Sequence, residues 1–93
     1  MENVYSALKS FEMDNIEKMR IHLENAQIEE DCFEKIFYII KQYCQEYNID
    51  LKSFTEFSED FNYEYYKINV LKIPDNLLNM VYKFLCLHTK INN

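Results

Sequence analysis

The sequence predicts an all-α protein, a compact bundle of four to five helices, with a short extended segment competing around 66–73. Three observations carry this. Glycine is absent from all 93 residues. Apolar residues recur at three- and four-residue spacing along most of the chain, the helical period. Hydrophobic residues make up 48% of it, enough for a packed core and too many for a disordered segment. The length fits one domain, residues 1–93.

The glycine count also excludes chemistry. P-loops, dinucleotide-binding turns, nucleophile elbows and EF-hand loops all need a residue that tolerates positive φ or close backbone approach. None can form here in its usual shape. Type I′ hairpins lose their preferred residue as well, although asparagine can substitute.

In chain order, Val4, Ala7, Leu8 and Phe11 predict a first helix over about 3–11. Asp14 followed by Glu17 has capping-box spacing and predicts the start of a second helix, with Ile16, Met19, Leu23 and Ala26 as its buried stripe. The run "IEED" breaks the pattern at 28–31 and sets carboxylates where a third helix begins, the favourable end of its dipole. Phe33, Ile36, Phe37, Ile40, Cys44 and Tyr47 give that helix one continuous face, widened by Ile39 and Tyr43. So broad a stripe suits a central element with several neighbours.

Asp50 predicts the cap of a further helix. Leu51, Phe54, Ser58, Phe61, Tyr65 and Ile68 step by three and four, so the helix is expected to reach at least Phe61. Past that point "YYKINVLKI" is β-rich and competes as a strand over Tyr65–Ile73. Pro74 closes the segment and holds Ile73 extended. A last helix is predicted over about 75–90, with Leu77, Leu78, Val81, Phe84, Leu85 and His88 inward and "INN" as a tail.

Charge is unevenly spread. The net charge is −6, from 16 acids and 10 bases. Residues 1–50 hold 11 acids against 5 bases, and residues 51–93 hold 5 of each. Such a chain is poorly matched to phosphate backbones and is repelled by anionic lipid. It attracts basic protein surfaces. Direct nucleic-acid binding and membrane association are therefore not expected.

Cys32, Cys44 and Cys86 are odd in number and lack framework or metal spacing. No basic, then apolar, leader pattern opens the chain, and no run is long enough to span a membrane. A reducing compartment, the cytoplasm, is the expected location. Cys86 and His88 stand two apart, which on a helix separates their faces. The cysteines read as small core residues. No cofactor and no metal are expected.

The richest stretch is "SEDFNYEYYKIN", 58–69. Read as a helix, it aligns Glu56, Asp60 and Glu64 at i, i+4 and i+8, with Glu59 beside them and Tyr63 and Tyr66 flanking. Tyrosine is amphipathic and enriched at interfaces. Glu56, Glu59, Asp60, Tyr63, Glu64 and Tyr66 are thus the candidate partner-binding residues. Small size and acidity point to a non-enzymatic binding module, an inhibitor or immunity-type protein. It would cover a basic surface of a partner protein, including a nucleic-acid-binding one by mimicry. Two other classes compete. One is a homo-oligomeric adaptor associating through Tyr63, Tyr66 and Val70. The other is a metal-dependent hydrolase using Glu56 and Asp60, with Glu29, Glu30 and Glu34 as nominal further ligands.

Overall fold

The computed structural model describes residues 2–60 and 63–92, with the side chains of 4–56 and 67–88. Four α-helices form the body: α1 (Glu2–Lys9), α2 (Ile16–Asn25), α3 (Glu30–Tyr47) and α4 (Asp75–Asn92). Between α3 and α4 stand two strands, β1 (Thr55–Asp60) and β2 (Tyr63–Ile68), flanked by single 3-10 turns at Leu51–Ser53 and Val70–Lys72. The expected helical bundle is present, with four helices.

Helix α4 packs against α1, α2 and α3 in turn. Its residues Leu77, Leu78, Met80, Val81, Tyr82 and Leu85 join Leu8, Met19, Ile36, Ile39 and Ile40 in one buried cluster. Burying one such side chain contributes about 1.5–3 kcal/mol relative to leaving it exposed. Ile73, extended before Pro74 as expected, is sealed into the same cluster.

Several local readings shift. In α1 the buried face is Tyr5 and Leu8, while Val4 and Phe11 are exposed and the helix ends at Lys9. The Tyr5 hydroxyl donates to Glu46 on α3, so the ring can be buried with its polar tip satisfied. Helix α2 is capped by Asn15, whose Oδ1 accepts from the Lys18 N–H at 2.9 Å. Asp14, the expected cap, instead accepts from the Asn15 N–H at 2.8 Å and takes the Lys83 ammonium at 3.3 Å, tying the connector to α4. Ile16 is exposed and Ala26 falls just past the helix, which leaves Met19 and Leu23 as the buried stripe. On α3 the buried face includes Cys32 and omits Tyr47, which is exposed. Helix α4 continues to Asn92, through most of the expected tail.

The largest correction concerns 51–68. Asp50 does cap, accepting from the Lys52 N–H at 3.0 Å, but it caps one 3-10 turn. Leu51 and Phe54 still reach the core from there. From Thr55 the chain is extended and antiparallel, in the register Thr55↔Ile68 to Asp60↔Tyr63. The expected helix to Phe61 does not form, and Phe61 itself lies outside the described residues. The physical reasons were present in the residues. Acids at Glu56, Asp60 and Glu64 repel at helical spacing, and the tyrosine-rich second half favours a pleated surface. The hairpin root is fixed by the Asn69 N–H donating to Phe54 O at 2.8 Å, and by Thr55 Oγ1 donating to Leu51 O at 3.0 Å.

Asn79 is a buried polar residue at 3% exposure on α4. Its Oδ1 accepts from the Asp14 N–H at 3.1 Å, and its Nδ2 donates to Glu12 O at 3.1 Å and Phe11 O at 3.4 Å. One amide therefore satisfies three backbone groups of the α1–α2 connector. Asn79→Ala strips those partners and is expected to lower unfolding free energy by about 2–3 kcal/mol, read from urea denaturation.

Candidate functional site

The strand geometry redistributes the six candidate residues. In a strand, alternate positions belong to opposite sides, and directly paired residues share one. The register therefore groups Glu56, Asp60 and Tyr63 with Lys67, and Glu59, Glu64 and Tyr66 with Thr55 and Ile68. Tyr63 and Tyr66, expected together, fall into different groups. Glu56 and Glu64, expected on one stripe, do too. Glu56 is exposed and stands opposite Lys67 in the ladder. Glu59 stands opposite Glu64, two like charges in direct cross-strand pairing. The side chains of Glu59, Asp60, Tyr63, Glu64 and Tyr66 lie outside the described residues.

At the root the two groups have different surroundings. Thr55 is buried and Ile68 packs against the core, whereas Glu56 and Lys67 are exposed. The hairpin is thus anchored through its Thr55–Ile68 side. Among the described residues the sheet has only these two strands.

The body sorts its acids into two populations. Glu46 accepts from the Tyr5 hydroxyl and the Lys9 ammonium, and Lys9 also lies 5.7 Å and 5.8 Å from the ring centres of Tyr5 and Tyr47. The Lys9 and Tyr5 hydrogen bonds hold the Glu46 carboxyl below its usual range. Burial, then the bond to Glu46, pushes the Tyr5 phenol up. Glu46 likewise raises Lys9. Asp14 is held low by the Asn15 N–H and by Lys83. Asp75 pairs with Arg20 at 3.4 Å. Glu29, Glu30, Asp31 and Glu34, by contrast, are exposed around the start of α3 and form no ion pair within the described residues.

Sequence reasoning missed a groove between α2 and the hairpin root. It is open, about 420 Å³, and lined by Leu23, Glu24, Glu56, Lys67, Ile68, Asn69, Val70 and Leu71. A smaller apolar cavity of about 130 Å³ lies beside it and shares Leu23, Ile68 and Val70, with Ile28, Phe33 and Ile36 among its other walls. The signal was the adjacent pair Val70–Leu71. Neighbouring apolar residues in a tight turn cannot both point inward.

The cysteines have the surroundings of core residues. Cys32 and Cys44 are buried, and burial pushes both thiols up, opposite to the shift of an activated nucleophile. Cys86 is half-buried. His22 meets the Tyr82 ring edge-on at 5.3 Å. Among the described residues no three of His, Cys, Asp and Glu gather in a metal-binding arrangement, and no helix is long and apolar enough to cross a membrane. No protein family, curated protein or solved structure matches the chain.

The Tyr5–Glu46–Lys9 cluster gives stability a definite pH dependence. Depressed carboxyls contribute fully above their ordinary pKa of about 4, and that contribution is lost as pH falls through the folded value. Raised Lys9 and Tyr5 contribute fully below their ordinary value of about 10, and that contribution is lost as pH rises through theirs. Thermal unfolding midpoints are expected to be flat from about pH 5 to 9 and to drop on either side. Glu46→Gln should shrink the acid limb to the part that Asp14 supplies, and should reduce the alkaline limb by the Lys9 part while the burial of Tyr5 keeps the rest.

Proposed function

We propose that this chain is a non-enzymatic protein-binding module, an inhibitor or immunity-type protein, that docks its acidic, tyrosine-bearing hairpin on a basic surface of a partner protein. The residues of that contact are Glu56, Glu59, Asp60, Tyr63, Glu64 and Tyr66. A partner surface of this kind includes one that otherwise holds nucleic acid, which the hairpin's carboxylates would imitate.

The observation that supports the reading is the pairing of Glu59 with Glu64, next to Asp60, at the far end of a two-stranded ribbon. Like charges directly opposite each other weaken a strand pair, and an isolated two-stranded hairpin is marginal in water. A sequence selected only for folding would place opposite charges there, as Glu56 and Lys67 are placed at the root. A cationic partner surface offsets the repulsion on binding. The tyrosines add contact area at low entropic cost. The net charge of −6 steers approach from a distance.

Glu64→Lys separates folding from binding, because it turns a like pair into an opposite pair. Stability is expected to rise by about 0.2–1 kcal/mol, measured by denaturation. Retention of the partner should fall in the same variant. The partner, captured on the immobilised chain from its native host and identified by mass spectrometry, should be held at low ionic strength. It should be released near 1 M salt, where the screening length is about 3 Å. A partner held equally at both ionic strengths, or equally by the reversed variant, overturns the reading.

A further inference from the structure

Leu71 is the most exposed of the large hydrophobic side chains in the described residues, at 72%. It does not sit on a loose loop. Asn69 Oδ1 accepts from the Leu71 N–H at 3.2 Å, and the Lys72 N–H donates to Asn69 O at 3.1 Å. The Asn69 N–H is itself held by Phe54 O. From the other side Arg20 on α2 donates one guanidinium nitrogen to Val70 O and another to Ile73 O at 3.0 Å, and the latter also reaches Asp75 at 3.4 Å. The turn is clamped at both ends, so Leu71 cannot fold inward without breaking these bonds.

Leu71 forms one wall of the 420 Å³ groove. That volume is within the roughly 300–1,000 Å³ of ordinary ligand clefts. Leu23, Ile68 and Val70 line it and lead into the adjoining apolar cavity with Ile28 and Phe33. The charges around it are mostly negative. Glu24 and Glu56 line the groove itself. Glu29 directly follows Ile28 and Glu34 directly follows Phe33, with Glu30 and Asp31 between, none of them ion-paired within the described residues. Against these six acids the same stretches hold three lysines, Lys35, Lys67 and Lys72, while Arg20 is tied to the turn carbonyls and to Asp75.

We infer that the groove between α2 and the hairpin root seats an apolar side chain of a partner protein, presented on a segment rich in lysine or arginine. The inference rests on the docking reading above and gives the contact an anchor beside the hairpin. The apolar side chain packs among Leu23, Ile68, Val70 and Leu71. Its basic neighbours meet Glu24 and Glu56, and then the carboxylates at the start of α3. A buried apolar anchor within a charged rim is the usual division of labour at protein interfaces.

The full chain, isotope-labelled for NMR, tests this with three short amidated peptides. One carries a leucine–phenylalanine pair between lysines, one the same pair between glutamates, and one a serine pair between lysines. Amide shifts are expected at Leu23, Glu24, Glu56 and 67–71 with the first peptide alone. Leu71→Ser and Glu24→Lys, both at exposed positions, should each weaken that binding about tenfold with unchanged unfolding midpoints. Equal binding of the serine peptide overturns the inference, as does the absence of any shift at millimolar peptide. Shifts confined to 29–34 or to the hairpin end also overturn it, while leaving the electrostatic docking reading intact. Concentration-dependent shifts at the groove without peptide identify a second copy as the occupant and overturn it too.

Discussion

A chain without glycine has to reverse direction by other means, and here the amide and carboxylate side chains do that work. Asn48 takes the left-handed conformation that ends α3, with φ of 56°. Asparagine is among the few residues that tolerate it. Asn15 caps α2, Asp50 caps the turn before β1, and Asn69 caps the turn after β2. Asn79 reaches out of the core to fix the α1–α2 connector. Each replaces a flexible backbone solution with a directed hydrogen bond. Direction is the gain, since a capped turn has one exit angle.

That rigidity decides where the exposed features stand. Arg20, the only arginine in the chain, binds two carbonyls on either side of Leu71 and a carboxylate beyond them. A lysine offers a point charge and could not span those acceptors with the same fixed fork. The hairpin leaves the body from a root closed by the Phe54–Asn69 bond, with Thr55 and Ile68 on the core side. Groove and hairpin are therefore set against one another by short polar links, which suits one continuous docking surface. In the body Glu46 is held by Tyr5 and Lys9, and Asp14 by Lys83, while Glu29, Glu30, Asp31 and Glu34 stay exposed and form no ion pair within the described residues.

Much of the helical body was legible. The periods of α3 and α4 are long, and their buried residues Ile36, Ile40, Leu77, Leu78 and Val81 are the ones that spacing selects. Short α1 was less so, because Tyr5 joins the core with its hydroxyl satisfied by a carboxylate on α3, 41 residues away. The hairpin was misread for a physical reason. Leu51, Phe54 and Ile68 do reach the core, so their helical spacing looked meaningful, but Leu51 lies in a 3-10 turn, Phe54 directly follows it and Ile68 belongs to the returning strand. Spacing cannot distinguish one helix from two antiparallel segments whose ends meet the same core. The groove was hidden too, since Leu23 and Leu71 meet only through the tertiary fold.

The position of α4 has a consequence for how the chain is made. Helices α1, α2 and α3 all pack on it, yet it follows them in the sequence. On the ribosome, the faces bearing Leu8, Met19 and Ile36 emerge before their shared partner exists. Chains in that condition are prone to aggregate and need shielding until the missing segment arrives. Synthesis halted ahead of residue 75 would release a product with no hub to collapse around.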